Sequence, residues 1–551
     1  MATGPLIVQS DHQLLLETEH PDYTECRDFL GLFAELVKSP EFIHTYRVTP
    51  LSLWNAAALE LALEDIESGL QHFAKYPLPD NVLSDIADWY VGYGKLKLYP
   101  HSDKYLRLEV ANKSLLERLR HDDTLKHFWL KNDGQSLLLG TNERGNVKQA
   151  LIKAGYPVKD LCGYVSGTKL EIILREKDSD GIQFALRDYQ LDAVGAFYHG
   201  GGVTGGAGII VLPCGSGKTI IGLGAMATVS SYTLIITTNN VSVHQWRTEL
   251  LNKTHLDAEL IGEYTGLEKH ICPVTITTYQ MLTYRKSKKH SMENLALFNK
   301  HNWGLIIYDE VHLLPAPVFR ATTGIQARRR LGLTATLVRE DGKEEDVFAL
   351  IGPKRYDVPW KTLESRGYIA QAFCTEYRLA LPAEEELAYA HAHKRQKFRI
   401  ASENSRKIEL VEELLEEHVQ DHVLVIGQYI KQLEIIAKHL KLPLITGKTK
   451  HQEREKLYQA FKTGEEPVLL VSKVANFAVD LPDANVLIQI SGTFGSRQEE
   501  AQRLGRILRP KKHSSFFYTL VSKNTNEQSF SLNRQLFLVE QGYKYHIDYF
   551  D

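Results

Sequence analysis

Short, wholly apolar runs alternate with longer amphipathic stretches over most of this chain. Between about residues 180 and 360 the runs are Ile209–Leu212, Leu234–Thr237, Val274–Thr277, Leu305–Tyr308 and Leu331–Leu333. Strands this short and apolar, separated by helical patterns, are covered on both faces, which predicts a parallel, doubly wound α/β sheet. The rhythm returns between about 410 and 525, with Val423–Ile426, Leu442–Ile445, Val468–Val471, Val486–Ile490 and Phe516–Leu520. Two such lobes are therefore expected, over 179–360 and 409–551, with residues 361–408 as a linker whose stretch 385–407 reads as charged helix.

The first 100 residues have a different texture. Thr49-Pro50 is a helix start, and Leu51, Trp54, Ala58 and Leu61 follow at helical spacing. A second helix carries Ile66, Leu70 and Phe73 and ends at Pro77-Leu78-Pro79; a third carries Val82, Ile86, Trp89 and Tyr90 and stops at Gly92-Tyr93-Gly94. Lys95-Leu96-Lys97-Leu98 alternates like a strand. Three helices and a strand suggest a winged-helix-like module, and a helical adaptor fits the same pattern. Residues 101–178 mix strand signals at Tyr105–Val110, Leu137–Leu139 and Leu170–Leu174 with a helix at Asn146–Ala154, which predicts a small α/β domain without evident chemistry.

Composition narrows the class. With 551 residues, 43% apolar and 24% charged, the chain has ample core for several soluble domains. No apolar run approaches the roughly 20 residues that cross a bilayer. Met1–Gln9 lacks the basic and apolar blocks of a signal peptide, so a cytoplasmic protein is expected. Five scattered cysteines without a CxxC pair fit a reducing compartment and exclude a disulfide framework or a cysteine-rich zinc site. The net charge of −3 argues against strong global attraction to nucleic acid and leaves room for a local basic groove.

The chemistry concentrates at run ends. Pro213-Cys214-Gly215-Ser216-Gly217-Lys218-Thr219 joins a predicted strand to a predicted helix. A glycine-rich turn in that setting aims backbone N–H groups and a helix dipole at phosphates. Lys218 then neutralises phosphate charge and the Thr219 hydroxyl suits Mg²⁺. Leu212 replaces the first glycine of the usual pattern. Asp309-Glu310-Val311-His312 closes the run Leu305–Tyr308. Asp309 is placed to hold Mg²⁺ and Glu310 to orient or deprotonate an attacking water, while His312 reads as structural or lobe-coupling. In the second lobe, Ser496 and Glu499 make a capping-box start. Gln498, Gln502, Arg506 and Arg509 then share one helix face, an arrangement able to present guanidinium groups to a γ-phosphate.

Together with Leu186-Arg187-Asp188-Tyr189-Gln190, Leu333-Thr334-Ala335-Thr336 and Gln502–Arg509, these motifs stand in the order of a superfamily 2 helicase. The chain most resembles the XPB branch, with a DEVH box. Arg339-Glu340-Asp341 resembles its RED motif, and Asp480–Ser491 (DLPDANVLIQIS) and Pro50–Ala57 are also similar. The resemblance implies two RecA-like lobes, a damage-recognition-like domain at 101–178, and a DNA-stimulated ATPase that is a 3′–5′ helicase or translocase, with DNA repair as its setting. ATP would bind through Arg187, Gln190 and Pro213–Thr219, with Lys218, Asp309, Glu310, Gln502, Arg506 and Arg509 catalytic. Thr237, Thr238, Gln245, Trp246, Thr277 and Thr278, with the RED residues, match motifs that contact nucleic acid, and Lys394, Arg395, Lys397 and Arg399 fall where the family inserts a DNA-gripping thumb. Implied partners are single-stranded, forked or damaged DNA and a nuclease, for a protein expected to act as a monomer. Asp188 stands where the family often has Pro, and Val474-Ala475-Asn476 replaces a common Gly-Asp pair, which points to a compact prokaryotic-type member. Three rivals share these residues: a duplex remodeller that never separates strands, a nucleotide-gated scaffold for DNA or a nuclease, and an RNA helicase.

Overall fold

A computed structural model describes the chain except residues 1–3, 39–41, 103, 135, 163–166, 203–204, 214, 285–300, 314–328, 336–343, 359, 473–483, 493–499, 501–502, 506, 509–513, 544 and 551. It divides into two compact units, Met1–Val211 with Gly217–Asp357, and Leu212–Ser216 with Val358–Asp551.

The first unit opens with a surprise. Strands β1 (Leu6–Val8), β2 (Gln13–Glu17), β3 (Glu35–Lys38) and β4 (Ile43–Arg47) form a four-stranded antiparallel sheet in the order β1-β2-β4-β3. The expectation of a mostly helical first 100 residues thus fails before Pro50. These strands are short and half-polar, so their alternation spans too few residues to register as a period. The three helices do form, at Pro50–Ala58, Leu63–Phe73 and Asp80–Gly92. The Thr49 side chain accepts from Ser52 N–H at 3.1 Å and the Ser52 hydroxyl accepts from Thr49 N–H at 3.0 Å, with Pro50 opening the helix.

The strand after the third helix belongs to the next sheet. β5 (Leu96–Pro100), β6 (Tyr105–Val110), β7 (Lys131–Asp133), β8 (Ser136–Gly140) and β9 (Val158–Asp160) are ordered β7-β8-β6-β5-β9, so this sheet begins before residue 100. Leu170–Leu174 is not one of its strands. Leu170 N–H donates to Ser230 O and Arg175 N–H to Lys253 O, strapping the segment to the lobe that follows.

That lobe is a seven-stranded sheet, parallel throughout. Its strands are β10 (Ala207–Val211), β11 (Thr233–Thr237), β12 (Ile261–Tyr264), β13 (Val274–Thr278), β14 (Leu305–Asp309), β15 (Arg329–Thr334) and β16 (Lys354–Asp357). The order is β12-β13-β11-β14-β15-β10-β16. Trp54 of the N-terminal module and Ile152 of the small domain share one apolar core with Ile209, Ile236 and Phe348, so burial joins all three modules of this unit.

The second unit repeats the architecture with β17 (Ala372–Leu379), β18 (Val423–Gly427), β19 (Leu444–Ile445), β20 (Val468–Ser472), β21 (Val486–Gln489), β22 (Ser515–Ser522) and β23 (Tyr545–Phe550). These too are all parallel, ordered β19-β20-β18-β21-β22-β17-β23. β17 lies in the stretch expected to be linker. The charged helix is two helices, Ala383–His391 and Lys394–Ser402. Among the described residues, no helix is long and apolar enough to cross a membrane.

Candidate active site

Because every strand of the first lobe's sheet runs the same way, Val211, Thr237, Thr278, Asp309 and Thr334 end at one edge. Carboxyl ends of parallel strands are where α/β sheets bind ligands. β10 is buried along its whole length, and Pro213, which lacks an N–H, follows within two residues. Gly215 and Gly217 have φ of +81° and +78°. A side chain there would cost about 1–2 kcal/mol per residue, so glycine is what lets the loop turn back. Ser216 donates from Oγ to Pro213 O at 2.6 Å, which uses its hydroxyl inside the turn. Cys214 lies outside the described residues. Gly217 caps the helix Lys218–Val229, whose first N–H groups have no partner within the helix. Lys218 and the half-buried Thr219 occupy its first turn.

Gln190 is not the exposed helix residue its pattern allowed. It is buried, and a Cβ on Gly217 would come within 2.7 Å of Gln190 Nε2. Its Oε1 accepts from Arg187 N–H at 2.9 Å, so the amide is pre-oriented beside the phosphate loop. Arg187, half-buried, precedes the helix Asp188–Tyr198.

At the end of β14 sit the two carboxylates. Lys218 Nζ stands 3.9 Å from Glu310 Oε1, an ionic contact without hydrogen-bond length. Glu310 adopts φ +50°, a left-handed conformation that costs a residue with a Cβ about 1–2 kcal/mol and that accumulates at functional sites. His312 is buried, with Nδ1 2.7 Å from Thr334 Oγ1 and 3.4 Å from Glu310 Oε2. It therefore links the carboxylate to the strand bearing Leu333-Thr334-Ala335. Asp309 accepts from Trp246 Nε1 at 2.9 Å, and its backbone carbonyl accepts from Tyr279 Oη at 2.9 Å. Burial pushes the Asp309 carboxyl up to about 6, the neighbouring Glu310 adds to this, and the Trp246 bond and Lys218 pull the other way. A carboxylate raised by desolvation gains by holding a cation. Thr219 Oγ1 and Asp309 offer the hard oxygen donors Mg²⁺ prefers, so the residues present fit that ion.

Trp246, expected as a nucleic-acid contact, is buried inside the first lobe. Its indole is 1% exposed, and a Cβ on Gly222 would lie 2.4 Å from Trp246 Cη2, so Gly222 admits the ring under the phosphate-loop helix. Trp246, Gly222, Tyr279 and Thr334 are site residues that spacing alone does not connect. The threonine hydroxyls also turn inward. Thr237 Oγ1 donates to Asn239 O at 3.2 Å, Thr277 Oγ1 donates to Tyr264 O at 2.7 Å, and Thr278 Oγ1 accepts from Met281 N–H at 3.3 Å. Thr237, Thr277 and Thr278 are buried, against the expectation of side-chain contacts to phosphates. Thr238 is half-buried and Gln245 exposed. Arg339, Glu340 and Asp341 lie outside the described residues.

In the second unit, Gln502, Arg506 and Arg509 lie outside the described residues. Neighbouring residues of that stretch are described: Glu500, Arg503, Leu504 and Ile507 are fully buried. Gln489 Nε2 donates to Glu500 Oε2 at 3.1 Å, Arg503 donates to Gln489 Oε1, and Arg534 Nε lies 3.5 Å from Glu500 Oε2. On the helix Lys394–Ser402, Phe398 is buried and Lys394 exposed. Lys397 Nζ sits 5.2 Å from the Tyr389 ring centroid, and Arg399 pairs with Glu403 at 2.9 Å, which lessens the net charge this helix offers to phosphates. Arg395 lies on the same helix.

Comparison with known proteins places this architecture. Residues 363–548 match the model of the ERCC3/RAD25/XPB C-terminal helicase, 183–339 that of the type III restriction enzyme res subunit, and 6–132 that of a helicase conserved C-terminal domain. The chain is 51% identical over 550 residues to a protein of Kineococcus radiotolerans named DNA 3′-5′ helicase XPB, covering 99% of this chain and 97% of that one. It is 47% identical to a protein of the same name from Mycobacterium tuberculosis, covering 99% and 98%. It is 31% identical to the general transcription and DNA repair factor IIH helicase/translocase subunit XPB/SSL2 of Saccharomyces cerevisiae, covering 99% and 72%. The chain belongs to the XPB family of superfamily 2 helicases.

Proposed function

We propose that this chain is an ATP-dependent 3′–5′ DNA helicase acting in DNA repair. The observation that carries the reading is that a glycine-built phosphate loop, Lys218 and the Asp309–Glu310 pair meet at one sheet edge, in a chain closely related along its length to bacterial DNA 3′-5′ helicases. Membership of the family implies ATP use; ATP with Mg²⁺ supplies the free energy of phosphoanhydride hydrolysis. Lys218 and the loop N–H groups would bind phosphate oxygens, Thr219 and Asp309 would hold the metal, and Glu310 would orient and deprotonate water. Gln502, Arg506 and Arg509 are proposed as further catalytic residues from the family resemblance. The exposed Gln245, the half-buried Thr238 and the basic positions Lys394, Arg395, Lys397 and Arg399 support DNA gripping by sequence-independent, salt-sensitive contacts. DNA in single-stranded, forked or damaged form is the proposed substrate, with a nuclease as partner and a monomer as the working unit.

The yeast relative's name also includes translocase, which favours a second reading: movement on duplex without strand separation. An ATPase panel with single-stranded DNA, duplex, forked DNA and RNA as activators, alongside displacement of 3′- and 5′-tailed duplexes, decides. Stimulation by DNA over RNA with displacement of 3′-tailed substrates is expected, and both should vanish in Lys218→Ala. ATPase indifferent to DNA would overturn the reading. Stimulation without displacement would select the second.

A further inference from the structure

β23 closes one side of the second unit's sheet, and at six residues it is the longest edge strand among the described sheets. The opposite edge, β19, has two residues and follows Pro443. In the first lobe, the edge strand β16 carries Lys354 and Arg355, and a turn folds Lys269 back onto Tyr264 at the end of the edge strand β12. Short length, proline, lysine and covering turns keep an open backbone edge from pairing. β23 (Tyr-His-Ile-Asp-Tyr-Phe) has neither proline nor lysine, and it follows β17 in unbroken register from Cys374↔Tyr545 to Leu379↔Phe550. No described strand pairs with its outer side. The strand is firmly anchored. Tyr545 Oη donates to Glu500 Oε1 at 3.3 Å, Lys523 Nζ lies 5.1 Å from the Tyr549 ring centroid, and the Arg406 guanidinium lies 5.4 Å from that of Phe550.

The residues of β23 are arranged symmetrically about Ile547. When two copies pair antiparallel with Ile547 opposite Ile547, His546 meets Asp548 twice and Tyr545 meets Tyr549 twice. Residues directly opposite lie on one face with Cβ atoms about 4.5–5.5 Å apart, where opposite charges and aromatic pairs both stabilise. The faces agree with this pairing. His546 and Asp548 share the solvent-facing side, 73% and 51% exposed, with Nε2 and Oδ2 3.5 Å apart. Tyr545, Ile547 and Tyr549 share the other by alternation. The pleat allows only slips that keep each side chain on its face. One such slip sets Asp548 against Asp548, a like-charge contact that destabilises. The other sets His546 against His546 and pairs only Tyr545–Ile547. Charge and length thus select the Ile547 register.

We infer that β23 is a self-pairing edge, through which a second copy of this chain joins the sheets of two second lobes about a two-fold axis at Ile547. The contact is isologous, so each favourable pair occurs on both sides of the axis. A ladder of this length lies at the small end of specific interfaces, and the pair therefore forms in a concentration-dependent way. Each copy keeps its own phosphate loop and strand-end carboxylates, so the motor remains one chain and the pair joins two of them. The inference stands apart from the helicase reading, since it uses no residue of the ATP site or of the DNA contacts.

Sedimentation velocity of the full chain over roughly 1–100 µM tests it. The weight-average sedimentation coefficient should rise with concentration toward that of a dimer. Asp548→Lys sets lysine opposite His546, and His546→Asp sets aspartate opposite Asp548, so each alone should weaken association by about tenfold or more. Mixing the two variants should restore it, because every cross-strand pair in the mixed dimer again joins opposite charges. Both side chains are largely exposed, so the variants should fold as wild type does, which their melting temperatures check. A wild type that stays monomeric over the whole range, association unchanged in both single variants, or variants that fail to associate when mixed would overturn the inference.

Discussion

Replacing Trp246 by Phe separates two roles that its position in the sequence confounds. The indole N–H lies 2.9 Å from the half-buried Asp309 Oδ2, with the indole itself 1% exposed. A hydrogen bond to a charged acceptor is worth about 1.5–3 kcal/mol, and phenylalanine keeps most of the apolar contact while deleting the donor. At 1.36 kcal/mol per factor of ten, the loss corresponds to roughly 10–100-fold, the range found when groups orienting a metal-binding carboxylate are removed. Trp246→Phe should therefore lower kcat/KM of the DNA-stimulated ATPase by about 10–100-fold and raise the Mg²⁺ concentration needed for half-maximal rate. Nucleotide-free binding to a fluorescent single strand, read by anisotropy, should stay within about twofold, because a side chain 1% exposed has little surface to offer DNA. Normal ATPase with weakened DNA binding would refute this reasoning and restore Trp246 as a nucleic-acid contact.

Glu310→Gln should abolish ATP turnover while leaving the melting temperature nearly unchanged, and surviving turnover would remove Glu310 from the chemistry. Gly222→Val places a methyl-bearing carbon where only 2.4 Å separates it from the Trp246 ring, so it should cost about 1–3 kcal/mol in urea unfolding. Its ATPase defect should not add to that of Trp246→Phe, because both act through Asp309. In the second unit, Lys407 Nζ and Glu527 Oε2 pair at 2.9 Å with both side chains fully buried. Glu527→Gln should destabilise by about 3–5 kcal/mol by stranding the ammonium, and joint replacement by Met and Leu by far less. Asp160 gives a pH signature. Burial favours its neutral form, but Arg144 and Lys148 together hold its carboxyl well below the usual carboxylate range. Its stabilisation is thus complete above the unfolded value of about 3.9 and fades as pH falls toward the folded value. Asp160→Asn should lower stability at neutral pH and remove that loss from an acid unfolding profile.

The strands read from the sequence are those whose burial is a property of a contiguous run. β10, β11, β13, β14, β18 and β20 are dominated by Ile, Val, Leu and Thr, because helices cover both faces of a parallel sheet. β17 escaped notice because Glu376 and Arg378 interrupt its apolar residues. Glu376 is nonetheless 1% exposed, accepting from Arg378 at 2.8 Å and from Ser531 and Gln535 on a helix more than 150 residues away. No local pattern announces a charge whose partners are that remote. β1 to β4 escaped for a different reason, being too short and half-polar for alternation to stand out.

The candidate site divides along the same line. Lys218, Thr219, Asp309 and Glu310 are legible in sequence because a phosphate cradle and a strand-end carboxylate are built from consecutive residues, whose turn geometry needs glycine at fixed offsets. Trp246 reaches Asp309 only because Gly222, on a third element, leaves room for the ring. Sequence fixes what the backbone does within a few residues, through turns, caps and the period of apolar positions. Which buried polar groups face one another depends on how separate elements close against each other, and that only the folded chain decided.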